Sequence, residues 1–265
     1  MKKFKYLANK LRYNICKMSH TAKAAHLASS LSCIDLLISI YFSNFFRFDY
    51  GSKDIKKDKF ILSKGHAAAA LYSVFVEKGI LSKSKLSLYG KNNSIYEEHP
   101  NSKIKGVVCS TGSLGHGLSF GIGISISNKL AKKKNKVVVL MSDGECNEGS
   151  VWEGVGFASA QNLSNIIVLI DNNNWQATGR SKEIFGGDLK KKWAAFGWKT
   201  QVINGHNFSE INLALKKAIN SNKPNAIIAN TIKGKGIYFM EDNNNWHYRI
   251  PNKNELREIK NILKI

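Results

Sequence analysis

The stretch VVVLMSDGECNEGSVWEGVGFASAQNLSNIIVLIDNNN, residues 137–174, decides the fold. It opens on a short continuous apolar run at 137–141 and carries a second at 166–170. Both are rich in β-branched residues and run straight into turn formers, which is how strands buried on both faces read. Between them, small residues recur on a helical period over 151–160. Strand, helix, strand at this spacing is a βαβ unit, and such units build parallel sheets. A third run at 226–229, preceded by a helical pattern over 209–220, repeats the theme. The expected class is therefore α/β, a parallel sheet with helices on both faces. In such sheets ligands gather beyond the carboxyl ends of the strands, here at the loops 142–149 and 171–179.

The rest of the chain agrees with a globular protein. It has 265 residues, 43% of them hydrophobic, and only three prolines, Pro100, Pro224 and Pro251, which excludes a disordered or collagenous chain. No Pro/Gly/Ser linker divides it, so a single domain over 1–265 is expected. The longest apolar stretches, 36–42 and 137–141, fall short of the roughly 20 residues a spanning helix needs. The basic start MKKFKY leads into polar positions and not into the apolar core of a signal peptide. Four cysteines, Cys16, Cys33, Cys109 and Cys146, show no CxxC spacing. Together these predict a cytoplasmic protein with no membrane partner. A net charge of +21 raises nucleic acid as a partner, because lysines neutralise phosphates with little regard to sequence. Yet Lys, Asn and Ile crowd the whole chain, including the Asn runs 172–174 and 243–245, and 132–134 reads as the solvated end of a helix. A composition bias spread over exposed positions explains the charge, and no nucleic-acid partner is expected.

The chemistry concentrates in two places. Asp143 and Gly144 directly follow the first strand, and Asn172 and Asn173 follow the second, with 30 residues from Asp143 to Asn173. A carboxylate and a side-chain amide delivered to one sheet edge are hard oxygen donors, suited to Mg²⁺ or Ca²⁺ with phosphates and water completing the shell. Gly144 lets the backbone approach a phosphate closely, and the next helix points its amides at the same anion. The same residues are also what a plain turn contains.

Residues 142–174 resemble the thiamine diphosphate motif of the transketolase family, usually GDG followed about thirty residues later by NN; Ser142 stands where the first glycine usually does. Four further segments resemble that family in the same order: AAHLASSLSCIDLL at 24–37, LSKGHAAAALY at 62–72, STGSLGHGLSFGIGIS at 110–125 and TIKGKGIYFMEDNNNWH at 231–247. The resemblance implies a thiamine-diphosphate-binding fold of the PP-domain type. It implies Asp143, Asn173 and the carbonyl of Trp175 as Mg²⁺ ligands, and the Gly144 amide at the diphosphate. Gly112, Ser113 and Leu114 would lie along the cofactor, with Glu145, Asn173, His66 and His247 among its other contacts. Glu148 would be an acid near a subunit contact, or simply a carboxylate favoured by a helix dipole.

Five of the seven histidines, His26, His66, His99, His116 and His247, fall in these segments. By resemblance His26, His99 and His247 line the substrate channel and, with His66, form the catalytic set. Imidazoles that titrate near neutrality can move protons to and from sugar hydroxyls, and their plainer alternative is structural hydrogen bonding. His206, in INGHNF, reads as structural, and His20 has no motif around it. In this family the carboxylate that activates the cofactor comes from a pyrimidine-binding domain, which this chain, ending at Ile265, does not carry. The expectation is the N-terminal subunit of a split transketolase, completed by a C-terminal chain in an α2β2 heterotetramer and acting on sugars or sugar phosphates. A deoxyxylulose-phosphate synthase-like or keto-acid dehydrogenase-like subunit would share the metal motif. A basic noncatalytic binding protein would not need it.

Overall fold

A computed structural model describes residues 2–48, 50 and 57–265. Three helices come first, α1 (Lys2–Ala22), α2 (Leu27–Ser32) and α3 (Ile34–Phe42), then β1 (Lys59–Leu62), α4 (Ala68–Glu77), α5 (His116–Leu130), β2 (Val137–Ser142), α6 (Gly149–Ala160) and β3 (Ile166–Asn172). The short α7 (Ser181–Ile184) and α8 (Leu189–Ala195) lead to β4 (Lys199–Asn204), α9 (Phe208–Ile219), β5 (Asn225–Asn230) and α10 (Lys253–Leu263). Among the described residues the five strands form one sheet in the order β1-β2-β3-β5-β4, and every strand pairing in it is parallel.

Strand side chains alternate between the two faces, and here both faces are buried. Val138, Leu140, Ile167, Leu169 and Ile227 enter a core shared with α1 to α4, α9 and α10. Their neighbours Val137, Val139, Met141, Ile166 and Val168 enter a second core under α5, α6 and α8. This is why the central strands read as unbroken apolar runs. β4 escaped the sequence reading because it is an edge strand: KTQVIN mixes polar residues along its length, and Val202 stays 47% exposed.

The register brings Ser142 level with Asp171, and Asn172 level with Asn230. The loops after β1, β2, β3 and β5 therefore leave the sheet on one side. No described helix is long and apolar enough to cross a membrane.

Leu169 has no exposed surface, whereas Leu213 on α9 is 54% exposed. Leu169→Ala should cost about 3 kcal/mol in urea unfolding, through lost burial and a residual cavity, and Leu213→Ala less than about 0.5 kcal/mol. Equal costs would contradict the two-core arrangement.

Candidate active site

A buried ion pair stands where the strand ends converge. Lys64, two residues past β1, donates to Asp171 near the end of β3 in a very short contact, and neither side chain has any exposed surface. Asp171 also accepts from Ser32 on α2 at 2.6 Å and from Thr231 just past β5, while Lys64 donates to the Ser29 carbonyl at 3.0 Å. Burial alone would raise the Asp171 carboxyl, but Lys64 together with the Ser32 and Thr231 hydroxyls outweighs it and holds it below the usual range. Burial likewise opposes the charge on Lys64, and Asp171 more than restores it. Such a pair contributes little net stability, but losing one partner strands a buried charge at about 3–5 kcal/mol.

Beside this pair lies a set of oxygen donors. Asp143 follows β2 and is 2% exposed. Its Oδ2 accepts from Ser181 at 2.5 Å, while Oδ1 is buried with no hydrogen-bond partner. Burial pushes this carboxyl up to about 6, with Asp171 adding to the rise. Asn173 is buried next to it; its Nδ2 donates to Asp171 at 3.4 Å and its Oδ1 accepts the Trp175 amide at 3.1 Å, which leaves a second lone pair on that oxygen. Asn174 takes the left-handed conformation, φ 63°, that turns the chain between them. Trp175 is fixed from outside: Arg180 lies over its ring at 3.8 Å, and its indole donates to Asp242 at 2.7 Å. A stranded carboxylate oxygen and an amide oxygen offered from the ends of adjacent strands fit a hard divalent cation. Among the described residues no three His, Cys, Asp or Glu side chains could hold a metal by themselves. A cation here would need ligands from an anion, which suits a diphosphate.

Glu145, which also lines the cavity alongside, braces the site through its carboxylate. That group is fully buried and accepts from Ser63, from the Gly115 amide at 2.9 Å and from the Ser142 amide at 3.2 Å, joining the ends of β1 and β2 to the loop before α5. Ser142, in place of glycine, accepts the Glu145 amide through its hydroxyl at 3.3 Å and so supports the turn. Gly117 allows α5 to approach, since a Cβ there would lie 2.6 Å from that of Ser63.

A cavity of about 380 Å³ opens alongside, lined by Gly144, Glu145, Asn173 and Trp175 together with Gly112 and Leu114. His26, His66, His99 and His247 line it as well. Asp143 faces an adjoining cavity of about 530 Å³, and Asn147 belongs to both. Ser113 sits apart, in a neighbouring hollow with His116. Glu148 is exposed at the cavity edge and precedes α6 as its N-cap residue.

The imidazoles are close together: ring centroids are 5.0 Å apart for His26 and His247, 5.8 Å for His26 and His66. Their ring nitrogens are assigned by their partners. His26 Nδ1 lies 3.2 Å from the Glu98 carboxylate, which can only accept, so its neutral form has a bare Nε2. His247 Nδ1 lies 3.0 Å from the Lys233 amine, which donates, so Nε2 carries the proton. Burial lowers His66 well below the usual range and also lowers His99. Burial, then Lys233, brings His247 down to about 3. His66, His99 and His247 are therefore neutral at pH 7.

Three groups of this site went unassigned in the sequence. Lys64 and Asp171 each carry a charge next to an apolar strand run, which is the signal that could have exposed them. Lys233, in the TIKGKG segment, is 1% exposed; burial and Lys64 bring it down to about 8, and it also donates to Asn244 at 2.7 Å.

The raised Asp143 gives a pH dependence of definite sign. An acid whose folded pKa lies above its unfolded value destabilises the fold once it ionises, so its cost grows as pH rises from about 4 to about 6. Without metal, Asp143→Asn should stabilise the chain by about 2–3 kcal/mol above pH 7 and by nothing below pH 4, read as melting temperature against pH. A variant less stable than the parent at pH 7.5 would contradict the stranded carboxylate.

Residues 4–264 match the family described as transketolase, thiamine diphosphate binding domain. One of the two-part names among the relatives is that of the apulose-4-phosphate transketolase of Phocaeicola vulgatus, whose matching subunit is 34% identical over 253 residues, covering 95% of this chain and 90% of that protein. Human transketolase is also 34% identical, over 254 residues, but there the alignment covers 95% of this chain and only 40% of the relative. Among solved structures, the transketolase of Campylobacter jejuni superposes with a TM-score of 0.88 at 26% identity, over all of this chain and 46% of that one. A Pichia stipitis transketolase variant superposes at 0.94 with 23% identity, over all of this chain and 41% of that one. The sheet, its loops and the motif at 142–174 thus share one origin, and the chain belongs to the transketolase family through its thiamine diphosphate binding domain.

Proposed function

We propose that this chain is the N-terminal, thiamine-diphosphate-binding subunit of a two-chain transketolase, one PP-type domain over 1–265. It would move a two-carbon ketol unit from a ketose or its phosphate to an aldose or its phosphate. The observation that carries this reading is the buried, unpartnered Oδ1 of Asp143 at the sheet edge that also presents Asn173, Trp175 and a cavity lined by four imidazoles. Asp143, Asn173 and the Trp175 carbonyl would hold Mg²⁺, with Ca²⁺ as a possible substitute. The Gly144 amide, His66 and Lys233 would meet the diphosphate, and Gly112, Ser113 and Leu114 would follow the rest of the cofactor. When bound, thiamine diphosphate supplies a carbon nucleophile for a ketose carbonyl and an electron sink for the bond that breaks. The chain's own part is proton handling and exclusion of water. His26, with Nδ1 held by Glu98, accepts a hydroxyl proton at Nε2; His247, with Nδ1 held by Lys233, donates from Nε2. His99, beside Gly112, orients the hydroxyls between them.

The Phocaeicola vulgatus relative, named as one subunit of its enzyme and matched over most of its length, supports a partner chain and a sugar phosphate substrate. The surface supports the partner as well. α5 and α6 leave Phe120 and Phe157 about half exposed, and exposed aromatic side chains suit a protein contact. That contact would bring the pyrimidine domain of a C-terminal chain over the cavity in a cytoplasmic α2β2 assembly.

The expected result is ketol transfer by the two chains mixed and none by this chain alone. In calorimetry on the complex, Asp143→Ala should weaken thiamine diphosphate binding in Mg²⁺ by about 100-fold or more. Turnover by the lone chain would defeat the split-enzyme reading, and undiminished affinity would defeat the ligand assignment.

A further inference from the structure

His206 lies outside the cavity, in the turn between β4 and α9, yet its partners reach into the site. Its Nδ1 is 2.7 Å from Asp35 Oδ2 on α3, and the same oxygen accepts from Arg12 of α1 at 2.6 Å. Arg12 and Asp35 are each about 95% buried. On the other side of the ring, Nε2 accepts the backbone amide of Ile232 at 2.9 Å. The turn is pressed against this segment: the Gly205 amide donates to the Asn230 carbonyl at 2.7 Å, and a Cβ at Gly205 would lie 2.4 Å from Thr231 Cγ2. Ile232 sits between Thr231, which bonds Asp171, and Lys233, whose amine meets His247 Nδ1 and Asn244.

We propose that His206 is a positioning residue: braced by the buried Arg12–Asp35 pair, its imidazole anchors the Ile232 amide and so fixes the Lys233 amine against His247 at the cavity wall. The backbone amide can only donate, so Nε2 must be bare and the proton must sit on Nδ1, facing the carboxylate that orients the ring. A chain of three elements, α1, α3 and the β4–α9 turn, thereby reaches the segment after β5. Its consequence for proton transfer at His247 rests on the transketolase reading above; the anchoring itself does not.

The test uses the whole 265-residue chain and needs no cofactor. A long-range ¹H–¹⁵N correlation of the native protein at pH 7.5 should show the His206 ring protonated at Nδ1 and bare at Nε2. The Nε2-protonated form, or an imidazolium, would overturn the proposal without any mutation. Two variants separate the ring's two sides, since glutamine can place an acceptor near Nε2 and asparagine a donor near Nδ1. His206→Gln should keep Ile232 amide exchange within about threefold of the parent, whereas His206→Asn should speed it about tenfold or more. Lys233 acetylation by an amine reagent, followed by peptide mass, should rise with exchange in His206→Asn and not in His206→Gln. Equal behaviour of the two variants, or an unchanged Lys233 in His206→Asn, would overturn it. If His206→Asn does not fold, the tautomer and His206→Gln decide. A chain that passes these tests but binds no thiamine diphosphate even in complex with its partner chain would refute the functional reading and leave the anchor standing.

Discussion

Everything at the carboxyl edge of the sheet depends on the ion pair of Lys64 and Asp171. It ties the end of β1 to the end of β3 across β2, and through Ser32 and Thr231 it ties α2 and the segment after β5 to the same carboxylate. Neither charge touches water, so each is tolerable only while the other is present. That mutual need converts three separate strand ends and α2 into one rigid rim. Asn173 hangs from the same Asp171, and the Lys64 charge helps depress His66, His247 and Lys233. The pair is thus less a source of stability than the reference point from which the donors around it are placed.

The same low-dielectric setting treats the site's acids and bases differently. Asp171 has a cation against it and stays ionised, whereas Asp143, a short distance away, lacks one and is pushed up. A divalent ion would do for Asp143 what Lys64 does for Asp171. His66 and His247, with buried amines as neighbours, are kept neutral, the state in which an imidazole can both accept and donate a proton. Charge in this pocket is therefore divided between a cation-ready side and a proton-handling side, and Lys233 stands at their border.

Much of this was legible in the sequence because the fold writes itself in burial. A strand packed on both faces must be apolar throughout, so β2, β3 and β5 announced themselves, and the residues directly after them had to lie at the ligand-binding edge. β4 did not, because an edge strand is free to be polar. Within the site, residues that follow a strand were readable by position, as Asp143 and Asn173 were. Residues that act through a partner distant in sequence were not. Lys64 and Asp171 are 107 positions apart, and His206 and Asp35 are 171 apart. A charge beside an apolar strand run marks a buried group but not its partner, and His206 in particular looked like an ordinary structural histidine. Glu145 makes the same point: its place after Asp143 was readable, but not that its carboxylate accepts from Ser63 and two backbone amides.

The central claim is that Asp143 Oδ1 is left unpaired to receive a cation together with a diphosphate. The most direct measurement is a crystal of the chain with its partner subunit, grown with Mn²⁺ and thiamine diphosphate, with the metal located by anomalous scattering. The expected peak lies in contact with Asp143, Asn173 and the Trp175 carbonyl, with phosphate oxygens completing its shell. A metal bound elsewhere, or a diphosphate seated with Asp143 still facing no cation, would contradict it.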